Sequence, residues 1–176
     1  MSETINKKRN DQAQIEMRPA TFEDFDAILK LNQDLVHFLS PLSKEKLTHL
    51  HSQAEIHSVV VVDGIVQAFI IAFREGKDYD SVNYTWFCEH YEKFLYVDRV
   101  VVSVAMQGAG LGSMIYNEIF KHAQKIEVPF VTAEIDFEPP NPNSLKFHEK
   151  YGFKEVGRQS VYGGKKIVSL QAAEIS

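Results

Sequence analysis

Two β-branched runs, Ser58–Val62 and Ile65–Phe73, stand on either side of Asp63-Gly64. An Asp-Gly pair readily takes the positive φ angles of a two-residue turn, so this stretch predicts a tight antiparallel hairpin. That hairpin constrains everything after it, because it conflicts with a doubly wound, all-parallel sheet. Downstream, Phe94–Val104 reads as a strand whose Val100-Val-Val102 run predicts burial on both faces. Gln107–Gly112 is glycine-rich. Leu111, Met114, Ile115, Ile119, Ala123 and Ile126 then mark one helical face, closed by Lys121, His122 and Lys125 near the negative end of the helix. Phe130–Asp136 reads as another strand. A hairpin feeding a strand–helix–strand unit predicts an α/β fold with a mixed, mostly antiparallel sheet flanked by helices.

The remaining elements fit around this unit. Ile15–Arg18 reads as a short strand, and Thr21-Phe-Glu-Asp24 as a capping box ahead of a helix carrying Phe25, Ile28 and Leu29. A second helix is expected from about Ser43 to Glu55. Arg74–Lys93 is a long, aromatic-rich excursion, partly helical. Asn141-Pro142 suits an N-cap followed by Pro at the first helical position, with Gly152 ending that helix. Phe153–Val161 and Lys165–Gln171 form a last hairpin around Gly163-Gly164. Met1–Gln14 has almost nothing to bury and reads as a mobile polar tail, leaving residues 15–176 as a single domain.

Composition excludes several function classes. With 24 acidic and 19 basic residues the formal charge is −5, which argues against a nucleic-acid-coating protein. No apolar run approaches the ~20 residues needed to cross a bilayer. The single cysteine, Cys88, excludes an intramolecular disulfide framework and a Cys-rich zinc site. The expected setting is the cytoplasm. His37, His49, His51 and His57 read as solvated histidines, and no metal site is expected.

The glycine turn carries the first chemical signal. Glycines at 108, 110 and 112 let the backbone turn sharply and approach a ligand closely. The free N–H groups of the helix that follows make an anion site suited to a pyrophosphate. A phosphate-binding P-loop would need a Lys after the glycines, which is missing. A dinucleotide fingerprint would need a third glycine where Ser113 stands.

Gln107-Gly-Ala-Gly110-Leu-Gly112 resembles the Q/R-x-x-G-x-G/A signature of the GNAT superfamily of N-acetyltransferases. Asn141-Pro-Asn-Ser-Leu-Lys-Phe-His-Glu-Lys-Tyr-Gly-Phe153 is similar to that family's N-x-x-A/S-x-x-x-Y-x-x-x-G-F helix. The order of elements agrees from about Ile15 to Gln171. Tyr96–Val102 together with Glu138-Pro-Pro-Asn-Pro142 also resembles a bacterial subgroup of unspecified substrate. The resemblance implies an acetyl-CoA-dependent N-acetyltransferase with no metal. The pyrophosphate would lie on Gln107, Gly108, Ala109, Gly110, Leu111, Gly112 and Ser113. The pantetheine arm would run along Val100, Val101 and Val102, with Asn141, Ser144 and Phe147 on its other side. The acceptor would be a small-molecule or peptide amine, with no nucleic-acid or membrane partner.

Amine acetylation needs a base for the acceptor and a hydrogen-bond donor for the tetrahedral oxyanion, and it benefits from a proton donor for the departing thiolate. Where the family commonly has a Tyr donor, this chain has His148; the helix end near it would favour a charged imidazole and burial would oppose that. Tyr151 lies one turn later but about 60° away round the helix. Glu134 occupies a place where several family members carry a catalytic Glu. Asp98 is the second candidate base, expected on the same strand face as Val100 and Val102. The aromatic set Tyr84, Trp86, Phe87 and Tyr91 reads as a lid or a wall of the acceptor pocket, as ordinary packing, or as the face of a homodimer. The missing Tyr also admits a second reading, a non-catalytic acyl-CoA-binding or sensing module on the same fold.

Overall fold

A computed structural model describes residues 12–37 and 39–176. The expected tail, 1–14, falls almost wholly outside them. Seven strands form one sheet: β1 (Ile15–Pro19), β2 (Ile56–Val62), β3 (Ile65–Arg74), β4 (Leu95–Val102), β5 (Phe130–Glu138), β6 (Lys154–Val161) and β7 (Lys166–Glu174). Their order across the sheet is β1-β2-β3-β4-β5-β7-β6, and every pairing is antiparallel except β4 with β5. The five α-helices are α1 (Phe25–Asp34), α2 (Lys44–Gln53), α3 (Val82–His90), α4 (Leu111–Lys125) and α5 (Pro142–Lys150).

The hairpin between β2 and β3 forms as expected, with Asp63 and Gly64 both at positive φ, 50° and 82°. β3 is buried on both faces from Ala68 to Phe73. Its odd-numbered residues there, Phe69, Ile71 and Phe73, pack with Phe25 and Ile28 of α1, Leu47 and Leu50 of α2, and Tyr84 and Phe87 of α3. Its even-numbered residues, Ala68, Ile70 and Ala72, pack with Leu111, Ile115 and Ile119 of α4. The sheet is thus covered on both sides, and the period-two alternation of β3 divides the core in two.

Helix starts follow the sequence with one variation. Ser43 caps α2 by accepting from the Lys46 amide at 3.1 Å, and Asn141 caps α5 by accepting from the Ser144 amide at 3.2 Å. α1 is preceded by a 3-10 turn, Phe22–Asp24. Asp24 accepts from the Thr21 amide at 2.8 Å and also takes both Arg18 guanidinium nitrogens, at 2.7 and 2.9 Å. The Arg18 bond is the main reason its carboxyl is held down at about 2.

One open reading is narrowed and two expectations change. The aromatics Tyr84 and Phe87 are core residues, which is ordinary packing. His57 is buried on β2 rather than solvated, with its Nδ1 2.7 Å from Nδ1 of His51. The run Val100–Val102 is not buried on both faces. Val101 packs into the α1–α3 side, while Val100 and Val102 lie half-buried on the α4 side.

Candidate functional site

β4 and β5 pair through only two positions, Leu95 with Val131 and Tyr96 with Thr132. Beyond them the parallel strands diverge, and from Val97 onward β4 has no strand partner on that side among the described residues. The gap is a cleft of about 450 Å³ walled by β4, β5, the start of α4 and the start of α5. Val100, Val102, Gln107, Gly112, Asn141, Ser144 and Phe147 line it, so these sequence-predicted residues converge.

The glycine turn sets one end of this cleft. Gly108 and Gly110 sit at φ 81° and 88°, a region that side-chain-bearing residues avoid. Gly110 is the N-cap of α4, and its carbonyl receives the first helical bond, from Met114 N at 3.1 Å. Among the described residues the amides of Leu111, Gly112 and Ser113 have no hydrogen-bond partner, as a helix start leaves them. They carry the positive end of the α4 dipole. Two expected contacts are narrower than the sequence suggested. The Ala109 amide is used inside the turn, on the Met106 carbonyl. The side chains of Leu111 and Val101 are in the core, so only their backbones face this region.

A second cavity, of about 410 Å³, opens on the α2–α3 side of the sheet and is lined by Tyr79, Ser81, Asn83, Lys46, Tyr162 and Lys166 among others. The two cavities share Leu39, Asp98, Arg99, Glu134 and Asp136. The cavities adjoin across the splayed sheet, with Glu134 in the lining of both.

Glu134 accepts from the fully buried Tyr96 phenol at 2.6 Å. Its carboxyl is pushed up to about 8. Desolvation is the main cause and the nearby Asp98 charge the second, against the opposing bonds from Tyr96 and Asn83. A carboxyl poised there can exchange a proton near neutral pH.

Asp98 does not lie where alternation would put it. The β3–β4 register skips it, pairing Ala72 with Val97 and Ile71 with Arg99. This bulge leaves Asp98 and Arg99 side by side on the Tyr96 face, opposite Val100 and Val102. Arg99 Nε donates to Asp98 at 2.7 Å, and its other nitrogens reach Asn32 at 2.9 Å and Ser40 Oγ at 3.1 Å. Tyr79 also donates its hydroxyl to Asp98. The Asp98 carboxylate is thus neutralised by a buried guanidinium, which makes it a charge beside Glu134 more than a free base.

His148 reaches the cleft, but not as a charged donor. Its Nδ1 lies 2.7 Å from the Ser144 carbonyl, an atom that can only accept, so the proton sits on Nδ1. Nε2 then accepts from the Tyr116 hydroxyl at 2.5 Å. Burial lowers the imidazole below its ordinary range and outweighs the Ser144 bond, so the expectation that the helix end would keep it charged gives way to desolvation. In this neutral ring the one N–H is already used. Tyr151 points elsewhere, its hydroxyl on the Ser113 carbonyl and Asn117. The sequence reading missed Tyr116, which lines the cleft but has the spacing of a core residue. It also missed Tyr79, Tyr96 and Asn83 around the carboxylates. Among the described residues there is no group of three or more His, Cys, Asp or Glu side chains that could hold a metal.

Known proteins place this architecture. The fold matches that of Ard1 from Thermoplasma volcanium, with a TM-score of 0.76 and 15% identity over 92% of this chain and 98% of that one. Arabidopsis thaliana NAA60, solved in complex with acetyl-CoA, matches with a TM-score of 0.72 and 16% identity over 92% and 100%. The ribosomal-protein-S18-alanine N-acetyltransferase from Escherichia coli matches with a TM-score of 0.69 and 16% identity over 93% and 95%. A search of curated protein sequences finds no significant match. The sequence model of the acetyltransferase (GNAT) family matches residues 20–153, which include the glycine turn, Glu134 and the Asn141 helix, and the chain belongs to that family.

Proposed function

We propose that the protein is an acetyl-CoA-dependent N-acetyltransferase whose acceptor is a primary amine entering from the α2–α3 side. The observation that carries this reading is the pair of cavities adjoining across the splayed sheet, with the raised carboxyl of Glu134 in the lining of both. Acetyl-CoA supplies an activated acetyl group as a thioester. The residues present fit it: the unpartnered amides of Leu111, Gly112 and Ser113 suit its pyrophosphate, and the open edge of β4 suits its amide-bearing arm. NAA60, which shares this fold, is solved in complex with acetyl-CoA.

Glu134 is the base in this reading. Its ionised carboxylate takes a proton from the acceptor nitrogen, while Tyr96 fixes the carboxyl in place. Below the Glu134 titration the α2–α3 cavity carries carboxylates and cations in balance. Asp136 is paired with Lys166 at 3.1 Å and Asp98 with Arg99, while Asp80 and Lys46 line the same cavity and make no ion pair among the described residues.

The test is turnover of acetyl-CoA against a panel of polyamines, amino acids and short peptides, read as release of free thiol, beside calorimetric binding of CoA. Amine-dependent thiol release is expected. CoA binding with no release for any amine would instead support the non-catalytic binding module.

A further inference from the structure

The donor to the departing sulfur is unassigned once His148 is seen to have no free N–H. Its Nδ1 proton is held by the Ser144 carbonyl at 2.7 Å, and its Nε2 is an acceptor. The hydroxyl on that Nε2 belongs to Tyr116, from the second turn of α4. The Tyr116 ring is fixed edge-on by Phe147, with centroids 5.0 Å apart, and by His148 at 5.1 Å. Tyr116 lines the same cleft as Gly112, Val100 and Glu134. Among the described residues it is the one phenol of that cleft's lining, and burial together with the Glu134 charge keeps it protonated well beyond neutral pH.

We infer that Tyr116 is the group that presents an O–H to the departing sulfur, and that His148 is a positioning residue holding that hydroxyl in place until the sulfur leaves. The inference rests on the acetyl-transfer reading. As the carbon–sulfur bond breaks, its electron pair stays on sulfur as a thiolate. The Tyr116 O–H then turns from Nε2 to the sulfur. A full thiolate charge is a stronger acceptor than a neutral imidazole, so the exchange is favourable. The proton that finally neutralises the thiolate is the one shed by the newly acylated nitrogen. The neutral state of His148 is part of the arrangement: a charged ring would place a positive N–H against the phenol oxygen and take its acceptor role away.

Hydroxylamine serves as the probe nucleophile, because it is largely neutral near pH 7 and separates thiolate departure from amine deprotonation. Its acetyl transfer from acetyl-CoA is measured for wild type, Tyr116→Phe and His148→Phe. A second readout, free of turnover, is the titration of the CoA thiol in the binary complex, followed by thiolate ultraviolet absorbance. Tyr116→Phe is expected to lower the maximal rate by about 10²-fold, the scale of losing a hydrogen-bond donor to a developing charge, with CoA affinity little changed. It should also raise the bound thiol's midpoint by about one pH unit or more relative to wild type. His148→Phe should cost less than about tenfold and leave the thiol midpoint depressed. On the wild type alone, nitrogen NMR should show His148 Nε2 losing its hydrogen bond when CoA binds as the thiolate. Wild-type rate and thiol midpoint in folded Tyr116→Phe overturn the inference. So does a loss in His148→Phe as large as that in Tyr116→Phe, or an Nε2 signal unmoved by the thiolate. A wild type that binds acetyl-CoA without accelerating the reaction overturns the transferase reading itself, a different result from an active enzyme indifferent to Tyr116.

Discussion

Tyr96 and Glu134 meet where the sheet divides: Tyr96 is the last residue of β4 to pair with β5, and its phenol donates at 2.6 Å to a carboxyl two residues beyond that last pair. The divergence that makes room for a ligand leaves Glu134 in the lining of both cavities, half-buried beside the Asp98 charge. The same place in the sheet thus carries both the binding cleft and the carboxyl of raised proton affinity.

The first prediction concerns rate against pH. Glu134 can accept a proton only when ionised, and its carboxyl titrates at about 8. Turnover of a good amine acceptor should therefore rise with pH through about 8 and level off above it. Glu134→Gln should abolish that limb and lower kcat by about 10²–10⁴-fold on the plateau, the usual range for a lost general base. CoA affinity, read by calorimetry, should hardly move. A variant retaining both the limb and the plateau would assign the base elsewhere.

The same shift makes a stability prediction. In an unfolded chain a glutamate releases its proton at about 4.3, while folded Glu134 keeps it to about 8. Between those values the unfolded state binds fewer protons, so the contribution of Glu134 to stability falls as pH rises, then stays constant above the folded value. The decline should be about 2–5 kcal/mol. Glu134→Gln keeps a side-chain oxygen for Tyr96 and has no proton to lose. Denaturant midpoints measured from roughly pH 5 to pH 9 should show the variant gaining on wild type and exceeding it at the alkaline end. Parallel curves would mean that Glu134 is not held protonated.

Asp98 gives the third. Its charge is the second cause of the raised Glu134 carboxyl, and it is the partner of buried Arg99. Asp98→Asn should move the rising limb to lower pH without erasing it. It should also destabilise the fold by about 3–5 kcal/mol, because Arg99 is left buried without its counter-charge. If the limb vanishes in Asp98→Asn and survives in Glu134→Gln, the roles of the two carboxylates are exchanged.

What the sequence disclosed, and what it withheld, follows from the range of each interaction. The β2–β3 hairpin, the α5 cap at Asn141 and the positive-φ glycines 108 and 110 depend on neighbouring residues, so local pattern carries them. The bulge at Asp98 is one extra residue in a ladder, and strict alternation, which makes no allowance for it, put Asp98 on the wrong face. Tyr116 is spaced like any core residue on α4, and its partner His148 is 32 positions away. His57 was read as solvated because nothing nearby in sequence marks it as buried under His51 and Phe25. The raised proton affinity of Glu134 comes from desolvation and from the Asp98 charge on the neighbouring strand, which no local pattern encodes.

The last prediction separates ligand binding from folding at the glycine turn. Gly110 is at φ 88°, and a Cβ added there would meet nothing within 4 Å, so a side chain costs backbone strain alone, about 1–2 kcal/mol. Any loss of CoA affinity in a Gly110 variant would be confounded by that strain. Gly112 is the cleaner position. It lies in the first turn of α4 at an ordinary helical φ, it lines the cleft, and a Cβ there would meet only the Phe147 ring at 3.8 Å, an ordinary contact. Gly112→Val should therefore leave the denaturant midpoint close to wild type, the helix gaining from loss of glycine what the branched side chain costs in packing. The same side chain projects toward the space beside the unpartnered amides of Leu111 and Ser113. CoA affinity should fall by more than tenfold, a loss above about 1.4 kcal/mol. Calorimetry with CoA, and with dephosphorylated pantetheine as a control lacking the pyrophosphate, locates the effect. CoA binding should weaken far more than pantetheine binding. Equal losses for both would put the pyrophosphate away from the start of α4, and undiminished CoA binding in a folded Gly112→Val would remove the glycine turn from the binding site altogether.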